Sequence, residues 1–149
     1  MTTLSAIPFE LDMVSIAKTV HVEPDSPDGR TLRELIEKAW QIAQPKAMYK
    51  EAFIDGKGAD TVTVEGLTFT SRMLRANLEP VERIFPFIAT CGHEMDTADL
   101  PAGDFLIEFW WDAIKAVLLG GAIRHLNEHL KQRYALGKMS SMSPGSGDV

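Results

Sequence analysis

A tract from Asp104 to about Leu136 constrains this chain more than any other segment. It is rich in apolar residues, carries no proline and reads as helix throughout. At ~1.5 Å per residue a single helix of this length spans roughly 50 Å. A compact domain of this chain length has a radius of gyration near ~15 Å. Gly120-Gly121 sits at the middle of the tract, where each glycine costs roughly 1 kcal/mol relative to alanine. A kink, or a close backbone crossing, is therefore expected at Gly120-Gly121. The tract ends in a small-residue stretch, residues 140–148, whose glycines and proline suit a turn around a polar ligand.

The remaining chain is short. With 149 residues it has room for one domain with a real core. A net charge of −6 argues against a nucleic-acid footprint, which needs clustered Lys and Arg. Cys91 is the single cysteine, so no internal disulfide forms and a reducing compartment is implied. The N-terminus lacks the basic and apolar blocks of a secretory signal. Glu108, Asp112 and Lys115 interrupt the nearest approach to a membrane span. The expected location is the cytoplasm.

The elements follow from local pattern. Residues 1–20 read as an extended lead-in, and 23–29 as a loop. Thr31 and Glu34 form a capping box that opens a helix with Leu32, Leu35, Ile36, Ala39 and Ile42 on its buried face, stopped by Pro45. Strands are expected at Met48–Ile54, Thr61–Val64 and Leu67–Phe69, joined by Asp55-Gly56-Lys57-Gly58 and Glu65-Gly66 into a small antiparallel meander. Ser71 caps a helix that ends near Leu78, ahead of Pro80. Residues 84–90 form a strand in which Pro86 demands an edge or a bulge. A third helical piece starts at His93, and Asp104 caps the long tract. The fold class expected is α+β: a curved antiparallel sheet with helices packed against it, in one domain over residues 1–149.

Three segments hold residues able to carry chemistry. His125-Leu126-Asn127-Glu128-His129 reads H-x-x-E-H. Two histidines at i and i+4 share a helix face and can bind one Zn²⁺, with the glutamate as general base. A catalytic zinc needs a third protein ligand, and few candidates follow His129. The bland alternative is a solvated stripe of Arg124, Glu128 and Lys131. At Thr90-Cys91-Gly92-His93-Glu94, a thiol beside a helix start can become an activated thiolate. The alternative there is a small residue in a tight turn, with Gly92 giving the backbone room. Ser143-Pro144-Gly145-Ser146-Gly147-Asp148 offers backbone N–H groups and hydroxyls to a carboxylate, a phosphate or an adenosine, or is a plain tail.

The order of these pieces resembles the vitamin B12-dependent methionine synthase activation-domain family, in its small stand-alone form. Three segments carry the resemblance: Phe85 through Met95, which contains Thr90-Cys91-Gly92; Gly103-Asp104-Phe105 through Ile114; and Ser143-Pro144-Gly145-Ser146-Gly147-Asp148, similar to the family loop Arg-x-Ser-Pro-Gly-Tyr-Gly-Asp. Weaker similarity covers the Thr31 helix and the strands of residues 47–70. The resemblance implies an activation-domain-like fold without the C-terminal part that relatives continue into.

It also implies an accessory protein that engages a corrinoid protein or methyltransferase for reductive reactivation or methyl transfer. Cobalamin would be carried by that partner. S-adenosylmethionine would be bound by Ser141, Ser143, Pro144, Gly145 and Ser146, with Glu128 or its neighbour Asn127 on the ligand amine. Ser141 stands where the family has arginine, and Ser146 where it has tyrosine. The alternatives are a small zinc hydrolase built on His125, Glu128 and His129, and an interaction module with no small ligand.

Overall fold

The computed structural model describes residues 1–143 and is α+β. Its chain falls into two compact units. One comprises Tyr49–Phe87 with Met1–Thr2 and the segment from Ala135; the other comprises Thr3–Met48 and Ile88–Tyr134.

The first unit contains a four-stranded antiparallel sheet in the order β6-β3-β4-β5, from β3 (Ala52–Lys57), β4 (Thr61–Val64), β5 (Leu67–Thr70) and β6 (Arg83–Ile84). The β4–β5 hairpin turns on Glu65 and Gly66, both at positive φ (47° and 84°), the pairing that a two-residue primed turn needs. Asp55 fixes the turn from the neighbouring strand, its carboxylate accepting from the Gly66 N–H at 3.0 Å. Ala52, Val62 and Val64 form the buried centre, flanked by Ile54, Leu74, Leu78 and Ile84. Ser71 caps α3 (Arg72–Asn77) by accepting from the Leu74 N–H at 3.1 Å, and α3 ends at Leu78, as the pattern implied.

The second unit is mainly helical. It holds α1 (Met13–Thr19), α2 (Pro27–Ile42), α4 (His93–Asp96), α5 (Phe105–Tyr134) and a three-stranded sheet in the order β1 (Thr2–Leu4), β2 (Lys46–Tyr49), β7 (Phe87–Thr90). Helix α2 packs against α1, α4 and α5. The core gathers Ile16, Ala17 and Val20 of α1, Leu32, Leu35, Ile36 and Ala39 of α2, Met95 of α4, and Trp110, Trp111, Ile114 and Leu118 of α5. Asp104 caps α5, its carboxylate accepting from the N–H groups of Leu106 and Ile107. Among the described residues no helix is long and apolar enough to cross a membrane.

Several expectations require correction. Residues 13–19 form a helix rather than extended chain, because Asp12 caps it and Ile16 and Ala17 find a buried face. Helix α2 begins at Pro27, inside the expected loop. Ser26 caps it through the Gly29 N–H, and proline fits the first turn, where its missing N–H costs nothing. Thr31 is thus an interior residue, its hydroxyl donating to the Pro27 carbonyl at 3.3 Å. The expected strand 48–54 is split into β2 and β3. Residues 84–90 also form two strands rather than one, broken at Phe85-Pro86, and β6 and β7 join different sheets. Finally, α5 runs as unbroken helix through Gly120-Gly121, and no close crossing occurs there within the described residues. A Cβ on either glycine would meet only Arg124 nitrogens, at 3.6 and 3.7 Å.

Candidate functional site

Strand β7 delivers the chain to Thr90-Cys91-Gly92, a turn fixed by hydrogen bonds and by close packing. The Thr90 hydroxyl accepts from the Gly92 N–H at 3.0 Å, and the Gly92 carbonyl accepts from the Met95 N–H at 3.1 Å. Gly92 has φ 106° and ψ 137°, a conformation open essentially to glycine alone. A Cβ there would also lie 2.9 Å from both the N and the O of Gln44.

From this turn α4 carries its residues to fixed partners. Met95 is buried, and its carbonyl accepts from the buried Trp111 indole N–H at 2.8 Å. Asp96 pairs with Lys115 at 2.6 Å. That hydrogen bond and charge hold the Asp96 carboxyl below its usual range and raise the Lys115 ammonium above its own.

Cys91 does not meet the needs of a nucleophile. Partial burial pushes its thiol up, and the opposing pull of Lys115 is the smaller effect. His93 beside it is exposed. The segment therefore reads as a structural turn joining β7 to α5. Glu94 is different: its Oε2 is buried without a hydrogen-bond partner, and the residue lines a groove of about 470 Å³ with Lys38, Gln41, Gln44 and Thr97.

The H-x-x-E-H residues lie on α5. His125 borders an open groove of about 400 Å³ shared with Phe9, Glu10, Gly121 and Arg124. Glu128 is exposed and faces Lys131 at 3.9 Å. No group of three or more His, Cys, Asp or Glu able to hold a metal ion occurs among the described residues. Among the described residues the zinc-hydrolase alternative finds no third ligand.

The residues implied for S-adenosylmethionine belong to different units of the chain. Glu128 belongs to the helical unit. Ser141 and Ser143 belong to the segment after α5, assigned to the sheet unit, and both are exposed. Pro144, Gly145 and Ser146 lie outside the described residues. The segment leaves α5 through Ala135 at φ 51°. Within the sheet unit the Asn77 amide of α3 donates to the Met142 sulfur at 3.5 Å.

Ser140, Ser141 and Ser143 themselves offer neutral hydroxyls. They can hydrogen-bond a carboxylate but bring no charge to it, so the fit to a zwitterionic ligand is partial. The Glu94 groove escaped the sequence reading. Its only signal there was an acidic residue in a short helix, which most often faces solvent. No protein-family model matches the chain, and a search of curated proteins finds no match.

Proposed function

We propose that this chain is a cytoplasmic accessory protein with an activation-domain-like fold, which engages a cobalamin-carrying corrinoid protein for reductive reactivation or methyl transfer. The observation that carries the reading is the succession of elements. An antiparallel meander is followed by a Ser71-capped helix, a strand leaving through a glycine-dependent turn, a short acidic helix, and a long Asp104-capped helix that hands the chain to the Ser140–Ser143 segment. This is the order in which the resembling segments occur.

In this role the protein supplies binding and orientation, while cobalamin and the methyl donor supply the reactivity. S-adenosylmethionine is the proposed donor. Ser141 and Ser143 would hydrogen-bond its carboxylate. Neutral hydroxyls contribute ~1 kcal/mol each, against ~1.5–3 kcal/mol for the charge-assisted bond of an arginine. Its affinity here is therefore expected to be modest, and docking of the corrinoid protein does not depend on it.

The test is calorimetric titration of the full chain with a corrinoid methyltransfer protein, once loaded with cobalamin and once stripped of it. The proposal expects saturable binding of the loaded form. Absence of heat with both forms overturns it.

A further inference from the structure

Two features of α5 remain once its core contacts are accounted for. The first is its exposed apolar side. Trp110, Trp111, Ile114 and Leu118 fill the core, yet the opposite side presents Phe105 at 82%, Phe109 at 57% and Leu106 at 54% exposure. A helix that is apolar on all sides is normally covered on all sides. The second feature is Gly120-Gly121, two adjacent helix-interior glycines: a Cβ on either would meet only Arg124 within 4 Å among the described residues, and Gly121 borders the groove shared with Phe9 and Glu10. Small residues of this kind let another helix come close, and no helix of this chain does so.

We propose that this side of α5 is the interface of a homodimer in which α5 packs antiparallel against α5 of a second copy. The stripe Phe105, Phe109, Ala113, Ala116, Gly120, Arg124 has spacings of 4, 4, 3, 4 and 4, which read the same in either direction; Ala113 lies at its inner edge, half-buried against the core. A two-fold axis between Ile114 and Lys115 therefore returns the stripe onto itself. Under that axis Ala113 meets Ala116, Phe109 meets Gly120, and Phe105 meets Arg124 of the second copy. Each large residue faces a small one or a cation.

A contact of this kind is self-complementary, as a two-fold interface must be. The charges agree. Asp104, Glu108 and Asp112 precede the axis, and Lys115 is already engaged by Asp96. Arg124 follows the axis and has no ion-pair partner among the described residues. Pairing would place its guanidinium over the Phe105 ring, beside the acidic end of the partner helix.

The exposed apolar area comes close to what such an interface needs. Taking ~200 Å² for a phenylalanine, the two exposed rings offer roughly 280 Å² of apolar surface. With Leu106, Val117 and Leu119 the side presents roughly 450 Å². A standard interface buries ~800 Å² per partner, of which ~60% is apolar.

The experiment is sedimentation velocity of the full chain over a concentration series, beside Phe109→Asp, Gly120→Leu and the triple variant Cys91→Ser, Ala113→Cys, Ala116→Cys. Circular dichroism checks that each variant is folded. The expected results are a particle of twice 16.5 kDa for the native chain, monomers for Phe109→Asp and Gly120→Leu, and a disulfide-linked dimer for the triple variant on mild oxidation. Several results would overturn the proposal: a native chain that stays monomeric into the high micromolar range, one that forms heterogeneous aggregates, or a dimer that survives Phe109→Asp and fails to cross-link. None of these outcomes depends on a corrinoid partner.

Discussion

Replacing Gly92 with alanine tests the β7–α4 turn. Two costs add. Alanine must adopt φ 106° and ψ 137°, a sparsely populated conformation worth roughly 1–3 kcal/mol. Its Cβ would also sit 2.9 Å from the backbone N and O of Gln44. Those atoms cannot yield freely. Gln44 precedes Pro45, which is buried and whose carbonyl accepts from the Ile7 N–H at 3.2 Å. Relieving such overpacking costs roughly 1–3 kcal/mol more.

The expected loss is about 2–6 kcal/mol, a large part of the ~5–15 kcal/mol that holds an ordinary domain. At ~3 °C per kcal/mol, the melting temperature falls by roughly 6–18 °C. Urea and thermal unfolding measure both. Gly92→Asn should fare no better, because asparagine tolerates the left-handed helical region and ψ 137° lies outside it. Gly56→Ala is the control: nothing lies within 4 Å of its added Cβ, and stability should change by less than ~1 kcal/mol. A Gly92→Ala protein within ~0.5 kcal/mol of the native chain would refute the reasoning, since a strained and blocked site cannot be that tolerant.

Three further outcomes are expected. Trp111→Phe removes the indole that satisfies the buried Met95 carbonyl, and should cost about 2 kcal/mol in urea denaturation. The Asp96–Lys115 pair gives stability a sign at both pH extremes. The lowered Asp96 contributes above the usual aspartate range and is lost as pH falls through its folded value; the raised Lys115 contributes below the usual lysine range and is lost as pH rises through its own. Asp96→Asn should flatten both limbs of the melting temperature against pH. Ser141→Arg should tighten S-adenosylmethionine by roughly five-fold or more in calorimetry, since it exchanges a neutral hydrogen bond for a charge-assisted one.

The sequence was most legible where a local rule had no competitor. Ser71 and Asp104 cap helices because each can reach an N–H two or three residues on. Glu65-Gly66 makes the hairpin because two residues between β-branched strands leave few turns available. It was misread where composition competed with position. Pro27-Asp28-Gly29 has the composition of a loop, yet proline and aspartate are also the residues of a helix's first turn, and the Ser26 cap decides between them. Residues 13–19 are too short for periodicity to speak, and the helix rests on tertiary burial of Ile16 and Ala17. Pro86 was expected in an edge strand or at a bulge, and β6 and β7 are indeed both edge strands, but the single strand expected over 84–90 is not formed. The outcome, two strands in two sheets, depends on contacts remote in sequence. The candidate site was the least legible part. Glu94 became notable only when its oxygen was seen buried and unpaired, which no local pattern announces.

The account stands most directly on reactivation itself. A corrinoid protein holding cobalt(II) cobalamin, supplied with a one-electron chemical reductant and S-adenosylmethionine, is followed by absorbance as it converts to the methylated form. The account predicts that adding this chain accelerates the conversion and that the gain saturates with its concentration. Equal rates with and without the chain, at concentrations well above its calorimetric binding midpoint, would contradict it.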